Sequence, residues 1–230
     1  MFLSDSQNEI LNATPPKATN TYSPVAHKTI FNAALEELDK KNLKVNNIIL
    51  HSARDNQQLI GCMDVNNDDE LGFRIAFRNS YDKTMSVGFV AGTNVFVCSN
   101  GMINGDIHFM RKHTGAVSKE LHEKIEMSVV TYDDVMNAMQ HDCDVMKHIE
   151  VDKTLAASLC GQLFVEQDLI TTTQLSIIKN EIIKPSYDYR SEGTMWQFYN
   201  HVTHSLKKTH PSRYIEQHKN FHGFVKQLIQ

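Results

Sequence analysis

The sequence lacks any hydrophobic run close to the roughly 18–20 residues that a membrane-spanning helix needs. Cysteine is scarce and scattered: the chain has four cysteines, and no two of them show C-x-x-C or zinc-finger spacing. Each lies in an apolar context, which predicts buried small hydrophobic side chains rather than disulfide or metal chemistry. The four are Cys62, Cys98, Cys143 and Cys160.

A surplus of positive charge is also missing, since 23 Lys and Arg residues stand against 27 Asp and Glu residues, a net charge of −4. This balance argues against a protein that coats nucleic acid through its overall charge, although it leaves room for a local basic groove. The opening segment MFLSDSQNEI has neither a basic n-region nor a continuous apolar h-region. We therefore expect no secretion signal and a cytoplasmic location.

The short motifs of several enzyme classes do not occur in the sequence. There is no G-x-x-x-x-G-K-[ST] or G-x-G-x-x-G phosphate loop, no G-x-S-x-G nucleophile turn and no H-E-x-x-H zinc motif. His141 and His148 should lie near one helical face with Cys143 between them in sequence, and His108 precedes His113, but no pair has finger spacing. The sequence predicts neither a metal nor a cofactor.

The first third of the chain changes from polar to helical to strand-like periodicity. Residues 1–22 are polar and contain a Pro-Pro pair, which predicts a flexible arm. Ser23 and Pro24 have the character of an N-cap and a first helical residue, and the amphipathic helix that follows should end near Asn42. From residue 44 to about 117, short runs rich in Ile, Val and Phe alternate with turn formers. This pattern predicts an antiparallel meander of about five strands, with TNVFVCSNG as the fifth, or six if DIHFMRKH is also a strand.

The remainder of the chain has helical periodicity. Thr131 predicts an N-cap, and further helices are expected at 152–166, 171–183, 192–208 and 211–229. The sequence therefore predicts an α+β fold: an N-terminal helix, a sheet within 23–117, and a C-terminal helical half, 118–230. We expect the helical half to pack on the sheet as one continuous domain.

Polar side chains cluster at the ends of the predicted strands. Guanidinium groups beside Asn and Ser donors suit a phosphate or carboxylate ligand, and in a meander such strand ends can converge at one rim. The alternative is that these residues form turns whose side chains cap their own backbone, and that Asp82 merely pairs with a neighbouring cation. The candidates are Arg74, Arg78, Asn79, Ser80, Asp82, Lys83, Asn100, Arg111, Lys112 and His113.

The tail, residues 184–230, is a second candidate because basic residues are interleaved with aromatic ones such as Tyr187, Trp196 and Tyr199. Cations beside stacking surfaces are typical of single-strand binding. However, the same aromatic residues fall on helical faces, a pattern equally expected of buried core. Both interpretations stay open at the level of sequence.

Four segments and the tail resemble a family of phage- and plasmid-borne proteins catalogued as a domain of unknown function, number nine-three-two. The resemblance covers roughly 23–215 and rests on Pro24-Val25-Ala26-His27, Phe77-Arg78-Asn79-Ser80-Tyr81-Asp82-Lys83, Gly92-Thr93-Asn94-Val95-Phe96-Val97-Cys98-Ser99-Asn100, Arg111-Lys112-His113-Thr114 and Trp196-x-x-x-Asn200-x-Val202-Thr203. Family members usually carry His in place of Tyr81, Asp in place of Ser99 and an acidic residue in place of His204. The resemblance implies a phage or mobile-element context and supplies no reaction.

Three functions are compatible with these patterns. The first is a non-enzymatic nucleic-acid-associated protein, acting in single-strand binding or annealing; the order of elements is similar to the core of phage single-strand annealing recombinases. The second is an interaction protein that sequesters a host protein or a small anionic ligand. The third is an enzyme that uses Asp82 and His113 as an acid–base pair, which requires both groups to share one cleft. Expected partners are therefore single-stranded nucleic acid or a host protein, with no membrane and with a homo-oligomer permitted.

Overall fold

The computed structural model describes residues 3–65, 71–95, 104–189, 191–209 and 211–230. Asn100, Ser99 and Cys98, and with them most of the predicted strand TNVFVCSNG, lie outside the described residues. The chain divides into two compact units. The first comprises Met1–Asn67, Gly72–Gly92 and Gly105–Val135; the second comprises Asp68–Leu71, Thr93–Asn104 and Met136–Gln230.

A five-stranded antiparallel sheet follows the N-terminal helices, and its strands lie side by side in chain order. The strands are β1 (Val45–Ala53), β2 (Gln58–Val65), β3 (Leu71–Ser80), β4 (Val87–Val95) and β5 (Asn104–Arg111). The predicted meander is confirmed with five strands. TNVFVCSNG, predicted as the fifth strand, is not a separate strand over its described part, because its first three residues continue β4. The fifth strand, β5, instead contains DIHFMR, from the segment predicted as an optional sixth strand.

The alternation predicted for β3 is confirmed. Phe73, Ile75 and Phe77 are all buried, while Arg74 and Arg78 point to the opposite face. Phe77 lies opposite Gly61 of β2, and a Cβ atom at Gly61 would come within 2.6 Å of the Phe77 ring. Glycine is required here because the aromatic ring lies directly over the backbone of the neighbouring strand.

The turn between β1 and β2 has an unusual backbone. Arg54, Asp55 and Asn56 all have positive φ, at 53°, 53° and 61°, although none of them is glycine. Such conformations are costly for residues with a side chain and persist only where the surroundings hold them. Here Gln57 accepts a 2.7 Å hydrogen bond from the backbone of Tyr81, so the turn is tied to the end of β3.

The N-terminal segment, predicted to be a flexible arm, contains the helix α1 (Asp5–Leu11). Ser4 and Gln7 form a reciprocal capping box, and Ile10 and Leu11 are buried. The side chain of Gln7 also donates a 3.1 Å hydrogen bond to the carbonyl of Ile48 in β1. A helix of about two turns with two apolar residues gives almost no periodic signal, which is why the pattern predicted only an arm.

The next helix, α2 (His27–Lys40), begins three residues later than predicted. Ser23 does not cap it, because Ala26 occupies the N-cap position. The backbone amide of Ser23 donates to the carbonyl of His113 at 2.7 Å. Its apolar face packs against α3 (Val117–Val130), which belongs to the same unit as the sheet. Thr131, the predicted N-cap, ends α3 and donates its hydroxyl to the carbonyl of Met127.

The second unit is helical, and the four predicted helices after residue 150 are confirmed to within a few residues. The helices of this half are α4 (Tyr132–His148), α5 (Lys153–Gly161) continued by a π-helical turn (Gln162–Glu166), α6 (Thr172–Ile183), α7 (Met195–Leu206) and α8 (Pro211–Ile229). None of the helices in the described part of the chain is long and apolar enough to cross a membrane. Together with the sheet, these elements make the fold α+β, as predicted.

Aromatic residues form the centre of the second unit. The rings of Trp196 and Tyr199 stack at 5.7 Å between centroids, and Tyr199 stacks on Phe221 at 5.0 Å. All three side chains are buried. Of the two interpretations of the tail, core is therefore correct for these aromatic residues, and stacking on a nucleic acid would need rings that solvent can reach.

Candidate functional site at the ends of β3 and β5

Val25 is held at both its carbonyl and its amide by side chains near the ends of two different strands. Asn79, in β3, donates a 2.7 Å hydrogen bond to the Val25 carbonyl. The Val25 amide donates a 3.3 Å hydrogen bond to Nδ1 of His113, just beyond β5. Asn79 also donates to Nδ1 of His27 at 2.9 Å. We call the four residues Val25, His27, Asn79 and His113 the Val25 clamp.

The hydrogen bonds of the clamp determine the protonation of both imidazoles. Nε2 of His27 contacts the carbonyl of Asn56 at 3.0 Å, so this nitrogen must carry the hydrogen and Nδ1 must accept. The two amide hydrogens of Asn79 are then both used, one on Val25 and one on His27. For His113, acceptance at Nδ1 likewise places the ring hydrogen on Nε2 in the neutral form.

Burial favours the neutral form of both rings. It lowers the pKa of His27, an effect that the hydrogen bond to Asn56 only partly offsets and that the neighbouring His113 reinforces. Burial also lowers the pKa of His113. Two buried atoms in the clamp find no hydrogen-bond partner among the described residues, namely Nε2 of His113 and Oδ1 of Asn79. The first is a donor and the second an acceptor, so the clamp has unused capacity of both kinds.

Tyr81 joins the clamp to the N-terminal segment. Its hydroxyl accepts a 2.9 Å hydrogen bond from the His27 amide and donates to the carbonyl of Ala13 at 3.2 Å. Its ring stacks on the imidazole of His27 at 4.0 Å and 9°. Because Tyr81 bonds both the first residue of α2 and the loop after α1, it positions both elements.

The turn after β3 carries Asp82 and Lys83. Asp82 accepts hydrogen bonds from Thr84, Gln58 at 2.8 Å and Arg54 at 3.0 Å. Burial works to raise the pKa of Asp82, but the hydrogen bonds led by those from Thr84 outweigh it and hold the pKa far below its ordinary value. The carboxylate therefore fastens the two neighbouring turns together, which agrees with the turn interpretation for this residue.

Lys83 lies on the other side of the turn, with its amine 4.6 Å from the ring centroid of Tyr22. The Tyr22 ring is in turn 5.5 Å from that of His113. Burial and the charge of Asp82 both raise the pKa of Tyr22. Tyr22 thus connects the end of β3 with the end of β5, where Lys112 is exposed.

Three of the predicted cations have local partners. Arg74 forms a 2.5 Å ion pair with Asp64, directly opposite on β2, and Arg111 pairs with Glu120 of α3. Arg78 has no carboxylate partner in the described chain; it donates to the hydroxyl of Ser86 at 3.3 Å and to the sulfur of Met110 at 3.7 Å.

The predicted rim is therefore assembled only in part. The structure brings Asn79 and His113 together at Val25, and places Lys83 beside Tyr22, close to His113. Ser80 caps its own turn, exchanging hydrogen bonds with the backbone of Met85 at 2.9 and 3.0 Å. Asn79 and His113, predicted to face a ligand, are buried and hold the N-terminal segment instead. The position of Asn100 lies outside the described residues.

The acid–base hypothesis requires Asp82 and His113 to be within hydrogen-bond reach. The hydrogen bonds of Asp82 go to Arg54, Gln58 and Thr84, and the described bond of the His113 ring goes to Val25. The two residues make no hydrogen bond with each other, so the pair is not assembled in this arrangement.

The second unit contains a buried carboxylate that sequence patterns did not single out. Glu181 accepts hydrogen bonds from Tyr189 at 3.0 Å and from both the amide and the hydroxyl of Ser186. His201 and His204 each approach Glu181 to 3.9 Å. Burial lowers the pKa of His201 to about 4, against the charge of Glu181, which acts to raise it. The cluster joins α6 to α7 as neutral histidines beside an ionised glutamate.

Neither a metal site nor a thiol site is found among the described residues. No group of three or more His, Cys, Asp or Glu side chains there is arranged to hold a metal ion. Cys143 and Cys160 are buried, as predicted, whereas Cys62 is only partly buried. Burial raises the pKa of Cys160 to about 11, which suits an inert core thiol.

Tyr22, His27 and Tyr81 belong to the site but were not among the residues predicted for it. His27 and Tyr81 lay within the segments that carried the family resemblance, so those segments were the available signal. Tyr22 had none, because its role depends on neighbours that are distant in sequence. All five segments of that resemblance have members in the described chain, and the first, second and fourth meet at Val25.

Comparison with known proteins gives one assignment. No curated protein and no solved structure matches the chain. A family model described as a domain of unknown function (DUF932) matches residues 22–223, a span that includes the clamp and most of the helical unit. The chain belongs to this family, DUF932.

Proposed function

We propose that this chain is a non-enzymatic, nucleic-acid-associated protein of a phage or other mobile element, acting in single-strand binding or annealing in the cytoplasm of a bacterial host. The observation that supports the proposal is the arrangement of Lys83 and Lys112. Both are exposed, neither has a carboxylate partner among the described residues, and they flank the contact between Tyr22 and His113. Unneutralised cations at adjoining strand ends suit successive phosphates.

The number of available cations limits how strongly such a surface can bind. Arg74 and Arg111 are occupied by Asp64 and Glu120, so they contribute little net charge to a phosphate track. Arg78 has no carboxylate partner in the described chain but lies half-buried against Gly88. Both are on the sheet face opposite the buried Ile75 and Phe77, which we call the outer face. Since phosphate contacts carry no sequence information, we expect weak, salt-dependent binding that does not depend on base sequence.

Fluorescence anisotropy with labelled single-stranded and duplex oligonucleotides, at two salt concentrations, tests the proposal. The double variant Lys83→Ala, Lys112→Ala should weaken binding and reduce the salt slope on single strands by about 1.4, since each lysine that neutralises a phosphate contributes about 0.7. The control Lys124→Ala, Lys153→Ala removes the same charge from exposed positions elsewhere. Absence of binding at low salt, an absent salt slope, or equal weakening in the control would overturn it.

An interaction protein is the second candidate, and the outer face of the sheet favours it. Ile60 and Met110 are 40% and 49% exposed and border Arg78, Ile60 as its cross-strand partner on β2. An arginine between exposed apolar side chains is typical of protein interfaces. Such an interaction protein would sequester a host protein or a small anionic ligand. Arg78→Ala should then leave oligonucleotide binding unchanged and abolish capture of a host protein in a pull-down, whereas parallel loss of oligonucleotide binding would favour the first proposal.

A further inference from the structure

We propose that the Val25 clamp is a proton-operated latch, which fastens residues 3–26 to the sheet at neutral pH and releases them when His27 and His113 take up protons. The inference is independent of any nucleic-acid binding. It rests on the roles that the clamp gives to its ring nitrogens: Nδ1 of each imidazole accepts a hydrogen bond, from the Val25 amide in one case and from Asn79 in the other.

A protonated imidazole cannot accept, because both of its nitrogens then carry hydrogen. At His113, the new N–H would face the backbone N–H of Val25, which cannot turn away without moving the chain. At His27, it would face the amide of Asn79. Rotating that amide would present Oδ1 to His27 but would withdraw the donor from the Val25 carbonyl. Protonation of both rings therefore breaks the hydrogen bond of the Val25 amide and at least one of the two hydrogen bonds donated by Asn79.

The surroundings offer no compensating negative charge. His27 faces Asn56 from the β1–β2 turn, Asn79 and Tyr81 from β3, and the other imidazole. His113 faces Tyr22 and Val25 from the N-terminal segment. Within the described chain no carboxylate contacts either ring.

Two charged groups, Asp82 and Lys83, interact with Tyr22, whose ring contacts His113. Asp82 raises the pKa of Tyr22, and Lys83 lies over its ring. The oxygens of Asp82 are occupied by donors from Thr84, Gln58 and Arg54. A proton on either histidine is therefore opposed by burial and by the second histidine, and it is accommodated best by opening the clamp.

The other contacts of residues 3–26 depend on the clamp. Tyr81 contacts both His27 and Ala13, and the Ser23 amide donates to the carbonyl of His113 itself. Apart from the clamp and Tyr81, the segment is held by hydrogen bonds from Gln7 to Ile48 and from Lys28 to Asn12. Four of its apolar or aromatic side chains are buried: Ile10, Leu11, Tyr22 and Val25. These four side chains are a small anchor compared with the conformational entropy regained by about twenty released residues.

Hydrogen–deuterium exchange of the full chain at pH 7.5 and pH 5.0, corrected for the intrinsic exchange rate, tests the latch. Peptides covering 5–31 should lose protection by about tenfold or more at pH 5.0. One titrating group changes an equilibrium up to tenfold per pH unit, and the clamp contains two such groups. Peptides from β2 and β3 should keep theirs. His113→Gln can still accept from Val25 but cannot titrate, so it should keep only the part of the pH response that His27 contributes; His51→Gln, at an exposed histidine on β1, should keep the full response.

Equal protection of 5–31 at both pH values would overturn the latch, as would an unchanged pH response in His113→Gln or a parallel loss in β2 and β3. Should His113→Gln not fold, the native chain decides the question. The titration midpoint of the His113 ring, followed by NMR, must coincide with the pH at which residues 5–31 lose protection. Two separate midpoints would refute the proposal.

Discussion

Asn79 donates a hydrogen bond to the carbonyl of Val25, 54 positions earlier in the chain, from a position that is fully buried. By the alternation of β3, Asn79 lies on the same face as Phe77 and Ile75. A polar side chain among core residues is tolerated because its two amide hydrogens both find acceptors. The bond attaches the chain entering α2 to the sheet.

Replacing Asn79 by Ala should destabilise the first unit by about 2–3 kcal/mol, because the Val25 carbonyl and Nδ1 of His27 would stay buried without a donor. Urea unfolding followed by circular dichroism measures the change. The control is Asn32→Ala, at an exposed position of α2, which should stay within about 0.5 kcal/mol of the parent. Equal effects of the two substitutions would contradict the role given to Asn79.

Gly61→Ala should destabilise the sheet by about 1–3 kcal/mol through overpacking. The added methyl group would lie 2.6 Å from the ring of Phe77 and 2.7 Å from Leu50. Thermal unfolding should show the loss, and a second substitution, Phe77→Leu, should recover part of the effect of the first. Gly223→Ala, in α8 with nothing within 4 Å, should instead be neutral or stabilising by up to about 1 kcal/mol.

Glu120→Gln should strengthen oligonucleotide binding if the proposed function is correct. Arg111 would lose its carboxylate partner and become available beside Lys112, adding about 0.7 to the salt slope on single strands. Glu123→Gln, one helical turn along α3, removes the same charge from an exposed pair with Lys119. Equal oligonucleotide affinity and equal salt slope of the two variants in anisotropy titrations would argue against a phosphate contact at Arg111.

The second unit should lose stability as the pH falls from about 6.5 to 4. His201 has a folded-state pKa of about 4 against 6.5 when unfolded, so the unfolded chain binds the proton first. Neutral His201 contributes fully to the free energy of unfolding above pH 6.5. At pH 4.5 this contribution should be lower by about 2–3 kcal/mol. Unfolding curves at pH 7.5 and 4.5 measure the loss, which His201→Gln should reduce and the exposed His141→Gln should not.

Periodic patterns predicted the elements well because periodicity reports burial directly. The alternation around Ile75 placed β3, and the stripe from Met195 to Leu206 placed α7. α1 escaped this reasoning although Ser4 and Gln7 carried a capping-box signal. A helix so short is stabilised by docking rather than by its own pattern.

The candidate site was harder to predict, because residue type does not reveal a partner. Asn79 and His113 look like surface donors in the sequence, yet their partner is a backbone group far away along the chain. Likewise, nothing local in the sequence pairs Arg111 with Glu120, which follows in the next helix. The prediction therefore gathered residues of which some lie near one another. Asn79 and His113 hold the chain before α2, whereas binding by Lys83 and Lys112 stays a proposal.

The separation of the clamp residues along the chain has a consequence for folding kinetics. The β1–β2 hairpin closes over four turn residues, whereas the bonds at Val25 span 54 and 88 positions. Long loops close late, since their entropy is lost before many contacts compensate it. The carbonyl of Asn56, which accepts a hydrogen bond from His27, must already lie in its hairpin turn when α2 docks. Substitutions in the clamp should accordingly speed unfolding while leaving the rate of refolding nearly unchanged.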